Sequence, residues 1–237
     1  MNRTIRIVLL APLVLFAASA CALRLGGSGP ETYSAVAIRA DAGASAAAVA
    51  TQLRDLGASL VLLSAAQDSA WFASVAGDAG LELSGPGETS GRGLAFMTNL
   101  ELLGDTSLVL DVPGGGQVHM HDALYKIDDR RNIDLMFVRF DGPDLRAAVR
   151  TLLGYIATDV GASAALLLAV DAATPQVADS ATVLVRATLG NAAECGDIAA
   201  AATTSRVRLL YGPSARLTCL SAQALPNGVF ARVQVPG

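Results

Sequence analysis

The sequence of 237 residues carries 17 basic and 21 acidic side chains, a formal net charge of −4, and 52% of its residues are hydrophobic. Without Arg3 and Arg6 the acidic excess grows, which argues against nucleic-acid binding through a broad basic face.

Arg3 and Arg6 precede an unbroken apolar run over residues 7–16, followed by Ala17, Ala18, Ser19 and Ala20. A charged start, a short apolar run and small residues together read as an export signal over residues 1–20. The run is about half the roughly 20 residues that a helix needs to cross a bilayer, so the signal is expected to be removed. Cys21 comes directly after the small residues. That arrangement resembles the bacterial lipoprotein cleavage box, whose cysteine is acylated, for example with palmitate, although Ala18 stands where the box usually has Leu. The expectation is a membrane anchor on Cys21, with plain secretion as the alternative. Ala22 rather than Asp after the cysteine points to the outer membrane if the host is Gram-negative. Residues 21–30, with Gly26, Gly27, Ser28, Gly29 and Pro30, have the composition of a flexible tether. No second linker or composition shift follows, so residues 31–237 read as a single domain.

Alternation or buried apolar runs predict strands over residues 32–39, 59–63, 94–98, 100–110, 118–127, 133–140, 164–170, 207–211, 217–224 and 229–235, with a brief run at 81–83. Helical spacing covers residues 45–56, 68–76, 145–156 and 177–189. The stretch 85–93 reads as a loop and 113–116 as a turn. Paired strands with intervening helices imply an α/β (α+β) protein with mixed or antiparallel sheets. No internal repeat is evident at periods of 20 to 50 residues.

Four segments carry a resemblance to a known superfamily. Residues 49–66 (VATQLRDLGASLVLLSAA) look like a first helix and second strand that normally end in Gln-Glu, and residues 91–100 like a Gly-rich strand start that leads to Ser-Arg. Residues 166–175 (LLLAVDAATP) look like the strand that normally ends Gly-Asp-Phe-Asn, and residues 206–235 like a C-terminal run that opens Arg-Ile-Asp-Tyr and closes with Ser-Asp-His-x-Pro. The chain so resembles a degenerate member of the endonuclease/exonuclease/phosphatase superfamily, with its DNase I-like fold. The resemblance implies two packed mixed or antiparallel sheets flanked by helices on both outer faces, a four-layer sandwich.

Members hydrolyse phosphoesters with a divalent metal, which needs carboxylate ligands, a base and donors for the phosphoryl oxygens. Most of those positions have changed here. The first-strand Asn falls near residues 39–41, without an Asn, and the metal-binding Glu falls on Ala65 or Ala66. The middle-strand His falls on Arg139. Asp171 matches the Asp of Gly-Asp-Phe-Asn, but Ala173 replaces its Asn and Arg208 takes the Asp of Arg-Ile-Asp-Tyr. After Asp197 the chain has no Asp, Glu or His, so the C-terminal acid/His pair is lost, and Gly228, Val229 and Phe230 run through its place.

The expected protein is thus a membrane-tethered, extracytoplasmic pseudoenzyme without a cofactor, which binds an envelope protein or a small anion. The alternatives are a divergent Mg2+- or Mn2+-dependent phosphoesterase or nuclease, with Asp68 or Asp141 completing a site around Asp171, and a structural envelope lipoprotein. Arg139, Arg206 and Arg208 are expected to line the former active-site cleft as an anion site, because guanidinium recognises phosphate or carboxylate bidentately. Asp171 is expected to be a strand-end residue that caps the next turn, or a relic metal ligand. His119 and His121 share a strand face and are weak metal candidates, read instead as exposed. Cys195 and Cys219 can pair in an oxidising compartment. Trp71 and Phe72 read as one partly exposed and one core residue, and Asp128, Asp129, Arg130 and Arg131 as a solvated hairpin tip. No Gly-x-Ser-x-Gly elbow, P-loop or dinucleotide fingerprint occurs.

Overall fold

The computed structural model describes residues 29–87, 93–159, 165–189, 192–195, 205–212 and 215–237. The signal, Cys21 and the tether through residue 28 lie outside the described residues.

In chain order the described elements are β1 (Glu31–Arg39), α1 (Ala46–Asp55), β2 (Leu60–Ala65), α2 (Ser69–Ala79), β3 (Glu82–Gly87), β4 (Gly93–Thr98), β5 (Glu101–Asp111) and β6 (Gln117–Lys126). They continue with β7 (Asn132–Asp141), α3 (Leu145–Asp159), β8 (Ala165–Asp171), α4 (Pro175–Leu189), β9 (Ala193–Glu194), β10 (Val207–Gly212), β11 (Thr218–Leu225) and β12 (Gly228–Val235). Every expected strand and helix is present. The 81–83 run extends to Gly87, into the expected loop, whose residues 88–92 lie outside the described residues. The two-residue β9 had no signal, since Ala193 and Glu194 are strand only because they pair with Tyr211 and Leu210.

Two six-stranded sheets form, in the orders β11-β12-β1-β2-β4-β3 and β5-β6-β7-β8-β10-β9. The orders are the same once the units are aligned. The second unit runs from the β5–β6 hairpin into the parallel pair β7-α3-β8 and then through α4 to β9 and β10, whereas the first starts at β1-α1-β2, continues through α2 to β3 and β4, and takes its hairpin, β11–β12, from the end of the chain. This internal duplication spans about a hundred residues, far outside the short periods at which repeats are usually sought.

Alternation places Ala35, Ala37, Leu60, Leu62, Leu94 and Phe96 of the first sheet against Ile133, Leu135, Phe137, Leu167 and Ala169 of the second, all buried. The opposite faces carry the helices. Val49, Leu53, Phe72 and Val75 of α1 and α2 cover Val36, Ile38, Val61 and Leu63, and Leu152, Ile156, Ala181 and Val185 of α3 and α4 cover Met136, Val138, Leu168 and Val170. Strands buried on both sides read as continuous apolar runs, as LVLLSA in β2 and ALLLAVD in β8 do. Local chemistry sets the helix ends. Ser45 and Asp68 cap α1 and α2 by accepting from Ala48 N and Trp71 N, and Gly80 stops α2 in the left-handed region at φ 73. Phe72 is buried, and Trp71, half-buried, donates to the Ala44 carbonyl.

Two features close the end of the sandwich at which the chain enters. Cys195 and Cys219 are disulfide-bonded, tying the β9 edge of one sheet to the β11 edge of the other. The 127–131 tip is not simply solvated. Arg131 bonds Asp128 and Glu31 through its side chain, and donates to the carbonyl oxygens of Gly29, Val235 and Pro236. The β6–β7 turn thus clamps both the first described residue and the C-terminal residues. Arg130 and Asp129 remain exposed, as expected.

Candidate functional site

The polar groups between the sheets gather at the opposite end, where β1, β2, β7 and β8 finish. The last registered pairs of the two parallel units are Arg39–Ser64 and Arg139–Asp171. Arg39 and Arg139 therefore occupy equivalent positions, facing each other across the sandwich. Arg39 Nη1 donates to Asp171 Oδ1 at 2.8 Å and to the Ala172 carbonyl at 3.3 Å. Ser64 Oγ donates to Asp171 Oδ2 at 2.8 Å. Asp171 is 0% exposed, so its charge is held by one guanidinium and one hydroxyl from the other sheet. It is neither a turn cap nor a solvated acid, which corrects the expected role.

Next to this pair on β7 and β6 lie Arg139 and His119, cross-strand neighbours. Arg139 Nε and Nη2 donate to Asp141 Oδ2 at 3.2 and 3.1 Å, and His119 Nε2 lies 3.1 Å from the same oxygen. Because a carboxylate only accepts, Nε2 carries the imidazole hydrogen and Nδ1 holds the lone pair. Nδ1 is buried and has no partner. Burial first, then the Arg139 guanidinium, pushes the His119 pKa down, with Asp141 opposing. His121 stacks on Phe96 with centroids 4.5 Å apart, and its Nδ1 meets the Leu94 carbonyl at 3.0 Å. Burial lowers its pKa, opposed by that carbonyl and by Asp105.

Both histidines are thus buried, not exposed strand residues: β6 is the second strand of its sheet, with β5 beyond it, so its inner face is covered. Arg208 is a second correction. Its side chain leaves the outer face of β10, is wholly buried, and bonds Asp179 of α4 at 2.6 Å and the Ser205 carbonyl, with Glu194 at 3.9 Å. It holds α4 and β9 to the sheet and is absent from the cleft. Arg206 is exposed ahead of β10. A one-residue parity error separates them from Arg139, the only one of the three expected arginines that faces between the sheets. Of the residues that make the site, Arg39 had stood only in the stretch where the first-strand Asn is missing, and Ser64 carried no expectation.

The carboxylates do not converge. Asp68 is spent on capping α2, Asp141 on Arg139 and His119, and among the described residues no group of three His, Cys, Asp or Glu is placed to hold a metal ion. Ala65, where the resemblance puts a metal-binding Glu, has a buried side chain on the outer face. Nor is there space for a side chain at Gly228, the first residue of the last strand. A Cβ on Gly228 would overlap the Ala37 carbonyl oxygen and come within 2.8 Å of Ile38 Cα. The described residues do not fit a divalent metal. Beside Asp141 a shallow depression of about 660 Å3 is lined by Asp111, Gly116, Gln117 and Gly142 among others.

Two mixed sheets with a pair of helices on each outer face, and a polar cluster where the central parallel pairs end, define the fold of the endonuclease/exonuclease/phosphatase proteins. Solved structures bear this out. An endonuclease/exonuclease/phosphatase family protein from Bacteroides thetaiotaomicron superposes with a TM-score of 0.68 over 89% of this chain and 100% of its own, at 10% identity. One from Bacteroides vulgatus gives 0.63 over 88% and 100%, at 13% identity. D. rerio TDP2 in complex with a single-strand DNA product gives 0.63 over 86% and 99%, at 11% identity. The sequence matches no protein-family model and no curated protein.

Proposed function

We propose that this is an exported protein, anchored by a lipid on Cys21, in which an endonuclease/exonuclease/phosphatase fold serves to bind a small anion or an envelope partner and no longer to catalyse. The observation that carries the reading is the saturation of Asp171. Arg39 brings a fixed positive charge to the one retained acid, and Ser64 takes its other oxygen. A guanidinium bonded in this way competes with any cation for the same carboxylate.

Arg39 also favours an anion. Its Nε and Nη2 make no hydrogen bond among the described residues, and its side chain is 21% exposed. With Arg139 at the equivalent position of the other unit, the cleft presents guanidinium groups from both sheets.

The test uses the full mature chain. Titration calorimetry with magnesium and manganese should show no binding, and a chromogenic bis-phosphate ester should turn over no faster than in buffer. Magnesium binding that disappears in Asp171→Asn, with turnover that disappears in step, would replace this reading with a rebuilt phosphohydrolase. The anchor is tested separately: the N-terminal peptide should carry acyl mass on Cys21, and Cys21→Ser should leave the membrane fraction.

A further inference from the structure

His119 Nδ1 is one of the buried side-chain atoms that have no hydrogen-bond partner among the described residues, and it lies in the row of Arg139 and Asp171. The side chain is 2% exposed, and Asp141 fixes the tautomer so that a lone pair, not a hydrogen, is presented at Nδ1. Burying such an acceptor without a donor costs roughly 1–3 kcal/mol, and buried polar atoms are nearly always paired. His121 differs in that its Nδ1 meets the Leu94 carbonyl, and its own unpaired nitrogen, Nε2, lies 3.5 Å from Asp105 Oδ2. His119 stands beside Arg139, which stands beside Asp171, on three consecutive strands β6, β7 and β8 with their side chains on one face. His119 Nε2 and Arg139 Nη2 both lie 3.1 Å from Asp141 Oδ2, so the imidazole and this guanidinium stand side by side.

We infer that the cleft takes a small oxyanion that carries its own O–H, with oxygens on the guanidinium groups of Arg39 and Arg139 and its proton donated to His119 Nδ1. This rests on the anion-binding reading above and narrows it. The formal charges of Arg39, Arg139, Asp141 and Asp171 cancel, so selection falls to hydrogen-bond matching more than to net field. Hydrogenphosphate and bicarbonate belong to the class. Sulfate, which has no proton near neutral pH, does not, and neither does the dianion of a phosphate monoester. Sites built to pair a hydroxyl reject the analogue that lacks it strongly, because a buried polar group is then left unpaired. No covalent step is involved. His119 acts as a binding residue.

Calorimetry on the full mature chain at neutral pH, with inorganic phosphate and sodium sulfate as probes, decides the matter. Phosphate should bind at least about tenfold more tightly than sulfate, the effect of one satisfied buried hydrogen bond. His119→Phe should bring the phosphate-to-sulfate affinity ratio close to one, while His119→Gln, which restores an acceptor oxygen, should keep part of the preference. Phenyl phosphate above its second ionisation should behave like sulfate. If wild-type protein binds phosphate and sulfate equally, the donor requirement is overturned while the anion site stands. If it binds neither, the anion reading falls and this inference with it. Should His119→Phe fail to fold, the wild-type ratio and His119→Gln still decide.

Discussion

The two repeated units place arginines at matching positions and surround them differently. In the first unit the final parallel pair is Arg39 with Ser64, and in the second it is Arg139 with Asp171. Only one carboxylate is therefore available among these four residues, and Arg39 reaches across the sandwich for it, leaving Arg139 to bond Asp141 on its own strand. At the opposite end the direction reverses. Arg131, just before β7 of the second unit, reaches Glu31 at the start of β1 of the first. Each unit thus contributes one cross-sheet arginine, one per end. They differ in hydration and in how fully they are used. The acid at the cleft end is wholly buried, whereas Glu31 and Asp128 keep 42% and 24% of their side-chain surface. Arg131 donates from all three nitrogens, while Arg39 bonds only through Nη1. The sealed end is a clamp, and the other has donors to spare.

The largest effect expected from breaking this comparison comes at the cleft end. Arg39→Met leaves Asp171 buried without a cation, which should cost about 3–5 kcal/mol in denaturant unfolding. Adding Asp171→Asn should restore most of that loss, because a neutral amide needs no counter-charge. A single-variant cost well under about 1 kcal/mol would mean that Asp171 is compensated from elsewhere. Arg131→Met should cost less, about 1–3 kcal/mol, since Glu31 and Asp128 can turn to water while three carbonyl oxygens lose a donor. Its distinguishing sign should be local: faster amide exchange at both β1 and the last residues of β12. A cost equal to that of Arg39→Met would show that partial hydration does not separate the two ends.

Sequence reasoning succeeded where the signal was periodic and failed where it depended on parity or on distant partners. Strands such as β2 and β8 declared themselves as apolar runs, and the order of elements carried the resemblance to the superfamily fold. The pairing of Cys195 with Cys219 was also legible, because apart from Cys21 the sequence holds only these two cysteines. Arg208 was misplaced because its facing was inferred from alternation with Arg206 and a motif position. β10 begins at Val207, and its odd-numbered residues face the other sheet, so Arg208 points toward α4. His119 and His121 were misread because burial of a β6 face depends on β5 and on the other sheet, contacts that the local pattern does not contain. Arg39 and Ser64 could not be recognised at all by motif. Their role arises from an acid 132 and 107 residues away, and only the duplicated strand order shows that Arg39 and Arg139 are counterparts.

The comparison sharpens further five residues before each of those arginines, where the first unit has Ser34 and the second Asp134. Ser34 is served by Ser59, whose hydroxyl accepts from its backbone N–H. Asp134 instead faces Asp122 on the outer side of its sheet, near Tyr155 of α3, whose hydroxyl donates to Asp122 Oδ2 at 3.0 Å. Burial first, then the hydrogen bond and charge of Asp122, push the Asp134 pKa from 3.8 up to about 9. Between those values the folded chain holds a proton that the unfolded chain has released. The contribution of this group is therefore fully present below about pH 4 and is lost as pH rises toward about 9, at no more than about 1.4 kcal/mol per pH unit. That slope runs against the usual behaviour of paired carboxylates, whose stabilisation is lost in acid. Asp134→Asn keeps the shape, can donate an N–H to Asp122 and does not titrate. Its stability relative to the parent should rise steadily with pH between about 4 and 9, so that the difference between the two unfolding curves grows in favour of the variant. A difference that stays constant with pH would mean that Asp134 is ionised in the fold, and that water or a cation at the α3 interface does the work assigned here to one shared proton.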